Sequence, residues 1–129
     1  MSQIDIACII DDDPIFVFGT KKIMEITNFC KSIMVFKNGR EAIDKLRPLI
    51  QDNGAVPEVI LLDLNMPIMD GWDFLDEFTQ IKPSRTIKIY IVTSSVDPED
   101  IRKSTRYTEV TDYIIKPITQ DALNQMLEG

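Results

Sequence analysis

The chain has 129 residues, of which 44% are hydrophobic and 27% charged, a composition typical of one globular domain. Its net charge of −7 disfavours binding to a nucleic-acid backbone, and no apolar run approaches the ~20 residues of a membrane span. Histidine is absent, which excludes His-dependent triads and His-ligated zinc, and Cys8 and Cys30 lack metal-ligand spacing. We predict one cytoplasmic domain over residues 1–129, with no direct contact to nucleic acid or membrane.

Short apolar runs alternate with segments of helical periodicity five times along the chain. The apolar runs predict strands at residues 4–10, 32–36, 58–62, 87–92 and 112–115. The first two helices begin at capping residues, Asp13 before Pro14 and Asn38 three residues before Glu41. Pro48 lies inside the second helical pattern and predicts a kinked or shortened helix.

The last three helices differ in the apolar surface that they offer. The third has four apolar residues at helical spacing: Phe74, Leu75, Phe78 and Ile81. The fourth follows Asp97 and has a thin apolar face, so we expect it to be short or mobile. The fifth begins at a Thr119 cap, where Ile118 and Leu123 are spaced as a hydrophobic staple. Five strand–helix alternations predict an α/β fold, with helices on both faces of a parallel sheet.

Polar residues follow four of the five predicted strands: Asp11, Asp12 and Asp13 after the first, Asp63 and Asn65 after the third, Thr93 after the fourth and Lys116 after the fifth. The carboxyl ends of parallel strands meet at one edge, so we expect these groups to converge. Each alone has an ordinary explanation as a cap, a turn residue or a solvated charge. Together, clustered carboxylates favour a bound Mg²⁺, and the lysine and hydroxyl suit a phosphoryl group attacked by a carboxylate.

These residues lie in motifs that resemble those of the bacterial two-component response regulator receiver domain. The motifs are IIDDD at residues 9–13, LLDLNMPIMDG at 61–71, VTS at 92–94 and YIIKP at 113–117. The likeness covers essentially the whole chain and is nearest to single-domain, chemotaxis-regulator-like receivers. It implies a flavodoxin-like, doubly wound sheet of five parallel strands in the order 2-1-3-4-5, with five helices on its two faces.

The resemblance also implies roles for individual residues. Asp63 resembles the phospho-accepting aspartate, and Thr93 and Lys116 would each bind a phosphoryl oxygen. The implied Mg²⁺ ligands are Asp11, Asp12, Asp63 and the backbone carbonyl of Asn65. Thr93 and Tyr113 would form a switch that responds to phosphorylation, and the Lys116–Pro117 peptide bond would be cis.

The resemblance further implies partners. A sensor histidine kinase or histidine phosphotransfer protein would donate the phosphoryl group, and the chain would catalyse only its own phosphorylation and dephosphorylation. A downstream protein, or a second copy in a homodimer, would bind the fourth helix, fifth strand and fifth helix. About twelve residues follow Pro117, so we expect output through protein–protein contact unless the chain is part of a longer regulator.

Three alternative functions fit the sequence less well. An Mg²⁺-dependent phosphohydrolase with an aspartyl nucleophile would need an acid at Asn65, which cannot shuttle a proton. A flavin-binding module would need a loop that cradles phosphate, whereas the loop after the first strand is acidic. A pseudo-receiver, which acts without phosphorylation, would not need the full set of Asp11, Asp12, Asp63, Thr93 and Lys116.

Overall fold

The computed structural model describes residues 3–128, which fold into strands and helices that alternate along the chain. The strands are β1 (Ile4–Ile10), β2 (Cys30–Phe36), β3 (Val59–Leu62), β4 (Lys88–Thr93) and β5 (Val110–Ile115). The helices are α1 (Pro14–Thr27), α2 (Gly39–Gln51), α3 (Gly71–Phe78), α4 (Pro98–Ser104) and α5 (Gln120–Glu128). All strand pairs are parallel, in the order β2-β1-β3-β4-β5, which confirms the predicted fold class. Within residues 3–128, no helix combines the length and apolar character needed to cross a bilayer.

The central strands are buried on both faces of the sheet. Cys8 and Ile10 of β1 pack into a core with α2 and α3. Ala7 and Ile9 of the same strand point to the opposite face and pack with α1 and α5. Because successive side chains of a strand alternate between faces, a strand covered by helices on both sides must be apolar throughout. This explains why the sequence of β1 becomes continuously apolar toward its carboxyl end.

Capping side chains start several helices at the carboxyl edge of the sheet. Asp13 accepts a hydrogen bond from the Ile15 N–H (3.0 Å), which caps α1. Asn38 accepts one from the Glu41 N–H (3.0 Å) at the start of α2, while Glu41 accepts one from the Lys37 N–H (3.1 Å). The predicted capping box is therefore present. Because these caps lie only two or three residues after β1 and β2, they hold the connecting residues at that edge of the sheet.

Several element boundaries differ from the predictions, most clearly those of α2, β2 and β5. Helix α2 continues past Pro48 to Gln51 and is not shortened, because a proline in the last turn removes a single helical hydrogen bond and Ile50 is still buried beyond it. Strands β2 and β5 each begin two residues earlier than predicted. Cys30 pairs with Ile4, and Val110 pairs with Ile89. The neighbouring strand therefore lengthens β2 and β5, which a local sequence pattern cannot predict.

Candidate functional site

The carboxyl edge of the sheet brings the three predicted acidic residues together. Asp11 follows β1 and Asp63 follows β3, and these strands are neighbours that pair Ile10 with Leu62. Asp11 and Asp63 are buried, whereas Asp12 is exposed. One carboxylate oxygen from each of the three aspartates lies within 4.8 Å of the other two. The site therefore concentrates three acidic groups at the rim of the sheet.

Asp63 is held firmly in this cluster. Its backbone N–H donates to the carbonyl of Ile10 (3.0 Å), which continues the β1–β3 pairing beyond the strand. Its Oδ1 accepts a hydrogen bond from the Leu64 N–H (2.8 Å). Its Oδ2 lies 3.4 Å from Lys116 Nζ. One carboxylate oxygen is thus fixed by the backbone, and the other faces the lysine.

Lys116 reaches the acidic cluster from the end of β5. Its Nζ lies 2.9 Å from Asp11 Oδ2 and 4.4 Å from the centre of the Phe16 ring, a distance typical of a cation–π contact. Burial lowers the pKa of Lys116, but the hydrogen bond to Asp11 and the charges of Asp11 and Asp63 outweigh burial, so its pKa lies above the ordinary value. The lysine is therefore charged at neutral pH. The Lys116–Pro117 bond is cis, as the resemblance implies.

Asp11 is buried, and Lys116 is the one charged partner of its Oδ2 among the described residues. Its Oδ1 accepts a hydrogen bond from the Asp13 N–H (2.9 Å). Its buried Oδ2 lies 2.9 Å from Lys116 Nζ, and no second polar group of the described residues pairs with it. Burial raises the pKa of Asp11, and its hydrogen bonds to Lys116 and Asp13 only partly oppose that rise. An all-oxygen cluster of three carboxylates, in which one lysine balances two buried aspartates, fits a hard divalent cation such as Mg²⁺.

The loop between β3 and α3 packs tightly against Asp63. The Gly71 N–H donates to the carbonyl of Leu64 (2.9 Å), and a Cβ at Gly71 would lie 2.5 Å from the backbone oxygen of Asp63. Ile68 has a φ of 69°, an unfavourable conformation for a β-branched residue. Asn65 is exposed in this loop, and its role as a backbone-carbonyl ligand stays a prediction. The loop geometry explains why only glycine fits at position 71.

The two predicted switch residues, Thr93 and Tyr113, both contact Ser95. Thr93 is fully buried at the end of β4, and its Oγ1 accepts a hydrogen bond from the Ser95 N–H (3.3 Å). The half-buried Tyr113 donates its hydroxyl to the carbonyl of Ser95 (3.0 Å). Among residues 3–128, no direct hydrogen bond joins Thr93 to Tyr113. The structure therefore connects them through the loop after β4.

Sequence reasoning missed Phe16 and Ser95. Phe16 is spaced as an ordinary helical apolar residue, and only the fold brings its ring close to the Lys116 ammonium, which follows β5. Two of the Ser95 contacts use its backbone, which any residue type could supply. The sequence offers one signal for Ser95, a hydroxyl two residues before the Asp97 cap, which is a common turn arrangement.

Known proteins resemble this chain in sequence and in fold along nearly its whole length. A family model described as the response regulator receiver domain matches residues 7–128. The chain is similar to a two component response regulator from Cytophaga hutchinsonii, with 32% identity and a TM-score of 0.88, covering 98% of this chain and 96% of that one. It shares the fold of the receiver domain of sensor histidine kinase PA1611 from Pseudomonas aeruginosa (17% identity, TM-score 0.78, 96% and 94% coverage), in which a magnesium ion is coordinated in the active site cleft.

Curated relatives extend the comparison to longer proteins. The chain is 26% identical to the probable methanogenesis regulatory protein FilR2 of Methanothrix harundinacea, over 95% of this chain and 79% of that protein. Its matches to the next three curated relatives span only between 11% and 48% of their lengths. The match therefore concerns one domain of those longer proteins.

Proposed function

The chain belongs to the response regulator receiver family and acts in phosphorelay signalling, and on that premise we propose that Asp63 accepts the phosphoryl group. The donor is a sensor histidine kinase or a histidine phosphotransfer protein. The observation that carries the proposal is the position of Asp63, whose Oδ2 lies 3.4 Å from Lys116 Nζ and which shares a cluster with Asp11 and Asp12. The catalysis that we propose is limited to the chain's own phosphorylation and dephosphorylation.

The chain's own groups suit this transfer. A carboxylate oxygen of Asp63 forms a bond to phosphorus while the phosphorus–nitrogen bond of the donor phosphohistidine breaks, and that electron pair leaves with the imidazole. Lys116 lies close enough to pair with a phosphoryl oxygen after a small movement from Asp11 toward Asp63. The buried Thr93 hydroxyl can donate to another oxygen. Both donors lie at the same edge of the sheet before the transfer, so each needs only a local side-chain movement to reach the phosphoryl group.

The side chains of Asp11, Asp12 and Asp63 would hold Mg²⁺ with the backbone carbonyl of Asn65. When bound, the ion would neutralise charge on the phosphoryl oxygens. The three clustered carboxylates, balanced by Lys116 alone, support this assignment, as does the magnesium ion coordinated in the Pseudomonas aeruginosa receiver. Calorimetry should show that Asp12→Ala loses most of the Mg²⁺ affinity, and an unchanged affinity would mean that Asp12 is not a ligand.

The output surface that we propose comprises α4, β5 and α5. A phosphoryl oxygen that attracts the Thr93 hydroxyl would shift Tyr113 between its Ser95-bonded position and a released one, which is a population shift between two arrangements. A downstream protein, or a second copy of the chain, would recognise the change. The single domain over residues 1–129 and the cytoplasmic location stay predictions.

The test of the acceptor is incubation with Mg²⁺ and acetyl phosphate, followed by intact-mass spectrometry. The wild type should gain one labile phosphoryl group, and Asp63→Asn should gain none. Asp5→Asn is a matched control, because the same substitution then falls at the amino end of β1, far from the cluster. Label that persists in Asp63→Asn would show that another residue is the acceptor, and an unlabelled wild type would favour the pseudo-receiver.

A further inference from the structure

The amino edge of the sheet, opposite the acidic cluster, carries a groove of about 640 Å³. The groove lies between the end of α3, the first residues of β4 and the turn that leads into β5. We propose that it binds an acidic segment of a partner protein. Strand β4 separates the groove from the acidic cluster by about 17 Å at the usual rise per strand residue, so this binding does not depend on phosphorylation.

Positive charge is concentrated along this groove. From residue 78 to residue 96 the sequence has no acidic residue but three basic ones, Lys82, Arg85 and Lys88, and all three line the groove. In the part of the chain that the structure describes, none of the three forms an ion pair. Glu109 is the one acidic residue that lines the groove among the described residues. The groove is therefore a positive site on a chain whose net charge is −7.

Hydroxyl groups add hydrogen-bond donors to the same groove. Thr86 and Thr111 line it and are exposed, and within residues 3–128 neither hydroxyl has a hydrogen-bond partner. Carboxylates accept hydrogen bonds from hydroxyl, ammonium and guanidinium groups, and those from charged donors are the stronger ones. The groove thus offers an anion both charge and direct hydrogen bonds.

Size, floor and charge together favour an acidic peptide as the occupant. Phe78, Ile81 and Ile87 contribute apolar surface to the floor, so the groove suits a segment that has both acidic and apolar side chains. A nucleic-acid backbone would need more cations than these three to overcome the net charge of −7. An acidic partner is repelled at the carboxyl edge and attracted at the amino edge, so charge complementarity selects this groove.

Hydrogen bonds hold the backbone around the groove in place. The Ile81 N–H donates to the carbonyl of Phe78 (3.0 Å), and the Lys88 N–H donates to the carbonyl of Glu58 (3.0 Å). The Ser84 hydroxyl donates to Asn53 Oδ1 (3.2 Å), which ties the loop before β4 to the turn after α2. A preformed groove lowers the entropic cost of binding. A partner docked here also leaves Asp63 open at the opposite edge.

The first experiment measures the fluorescence anisotropy of a labelled peptide of repeated Glu-Glu-Leu units, titrated with the protein at low salt. Arg85→Gln and Lys82→Gln should each weaken binding by about three- to fivefold, because each removes one charged contact, and Arg85→Lys should retain it. Lys45→Gln is the matched control, since it removes the same charge from an exposed position on α2 outside the groove. Equal losses in Arg85→Gln and Lys45→Gln would overturn the inference.

The second experiment locates the peptide and tests its chemistry. Addition of the peptide should shift the backbone amide NMR signals of residues 79–89 and 108–111, and a Gln-Gln-Leu peptide should shift none of them. Binding should be unchanged by Mg²⁺ with beryllofluoride, a phosphoryl mimic, because the groove lies at the opposite edge from Asp63. Shifts confined to other residues, or an affinity that depends on beryllofluoride, would overturn the inference. Displacement of the peptide by an equal concentration of pyrophosphate would overturn it as well, since the groove would then be a site for small phosphates.

Discussion

Helices α2 and α4 both begin at the edge of the sheet that carries the acidic cluster, yet they are held very differently. Helix α2 buries five residues along its length: Gly39, Ala42, Ile43, Leu46 and Ile50. Helix α4 buries Ser104, and its other contacts include the hydrogen bond from Ser95 to Asp100 and the cation–π contact of Lys103 with Trp72. Regions with few buried apolar contacts open most readily. From this contrast we expect α4 to shift more readily than α2 when a group binds at the acidic cluster.

Burial, rather than charge, gives α2 its rigidity. Glu77 of α3 accepts hydrogen bonds from Arg40 (3.2 and 3.3 Å) and Arg47 (3.3 Å) of α2. These side chains are between 36% and 40% exposed, and exposed ion pairs contribute about 1 kcal/mol or less. The fully buried Leu46 contributes more than such a pair. The difference between the two helices should therefore persist at high salt.

Truncation of one apolar side chain in each helix gives the largest expected contrast. Leu46→Ala should lower the free energy of unfolding by about 2–5 kcal/mol, because it leaves a cavity in the core. Ile101→Ala removes a side chain that is 41% exposed on α4 and should change it by about 0.5 kcal/mol or less. Urea denaturation measures both values. Similar losses in the two variants would remove the distinction between the helices.

A substitution at Gly71 tests the tightly packed loop next to Asp63, the proposed phospho-acceptor. Gly71→Ala should lower the free energy of unfolding by about 1–3 kcal/mol and slow phosphorylation, since the new Cβ meets the Asp63 backbone oxygen at 2.5 Å. Gly19→Ala is the control, because nothing lies within 4 Å of its added Cβ in α1. The free energy of unfolding of Gly19→Ala should be about 0.5–1 kcal/mol higher than that of the wild type. Denaturation and the rate of label uptake report the two effects, and unchanged kinetics in Gly71→Ala would show that the loop tolerates displacement.

A smaller effect tests the attachment of the segment after α4. Burial, followed by the hydrogen bond to Asp76 (2.8 Å), raises the pKa of Tyr107 from 10.0 to about 12. Because the folded pKa lies above the unfolded one, the associated stability is present below pH 10 and is lost as pH rises through about 12. Tyr107→Phe keeps the ring, so the stability difference from the wild type should shrink over that range. A difference that stays constant with pH would contradict this role for the hydroxyl.

The sequence predicted the fold and the acidic cluster because both follow from local patterns. Buried parallel strands must be apolar, and their ends meet at one edge, so Asp11 and Asp63 could be placed together from position alone. The contacts of Ser95 could not be predicted, since they depend on where β5 brings Tyr113. The contact between Phe16 and Lys116 also joins residues that are distant along the chain. Such contacts depend on long-range packing, which local sequence patterns do not encode.

The measurement that tests the account most directly is amide hydrogen exchange of the wild type with and without Mg²⁺ and beryllofluoride. We expect altered protection in residues 97–115, which contain α4 and β5, and unchanged protection in α2. Thr93→Ala should lose the change in residues 97–115, because the hydroxyl that senses the phosphoryl group is gone. Equal changes in α2 and α4, or an undiminished response in Thr93→Ala, would contradict a rigid site that signals through α4.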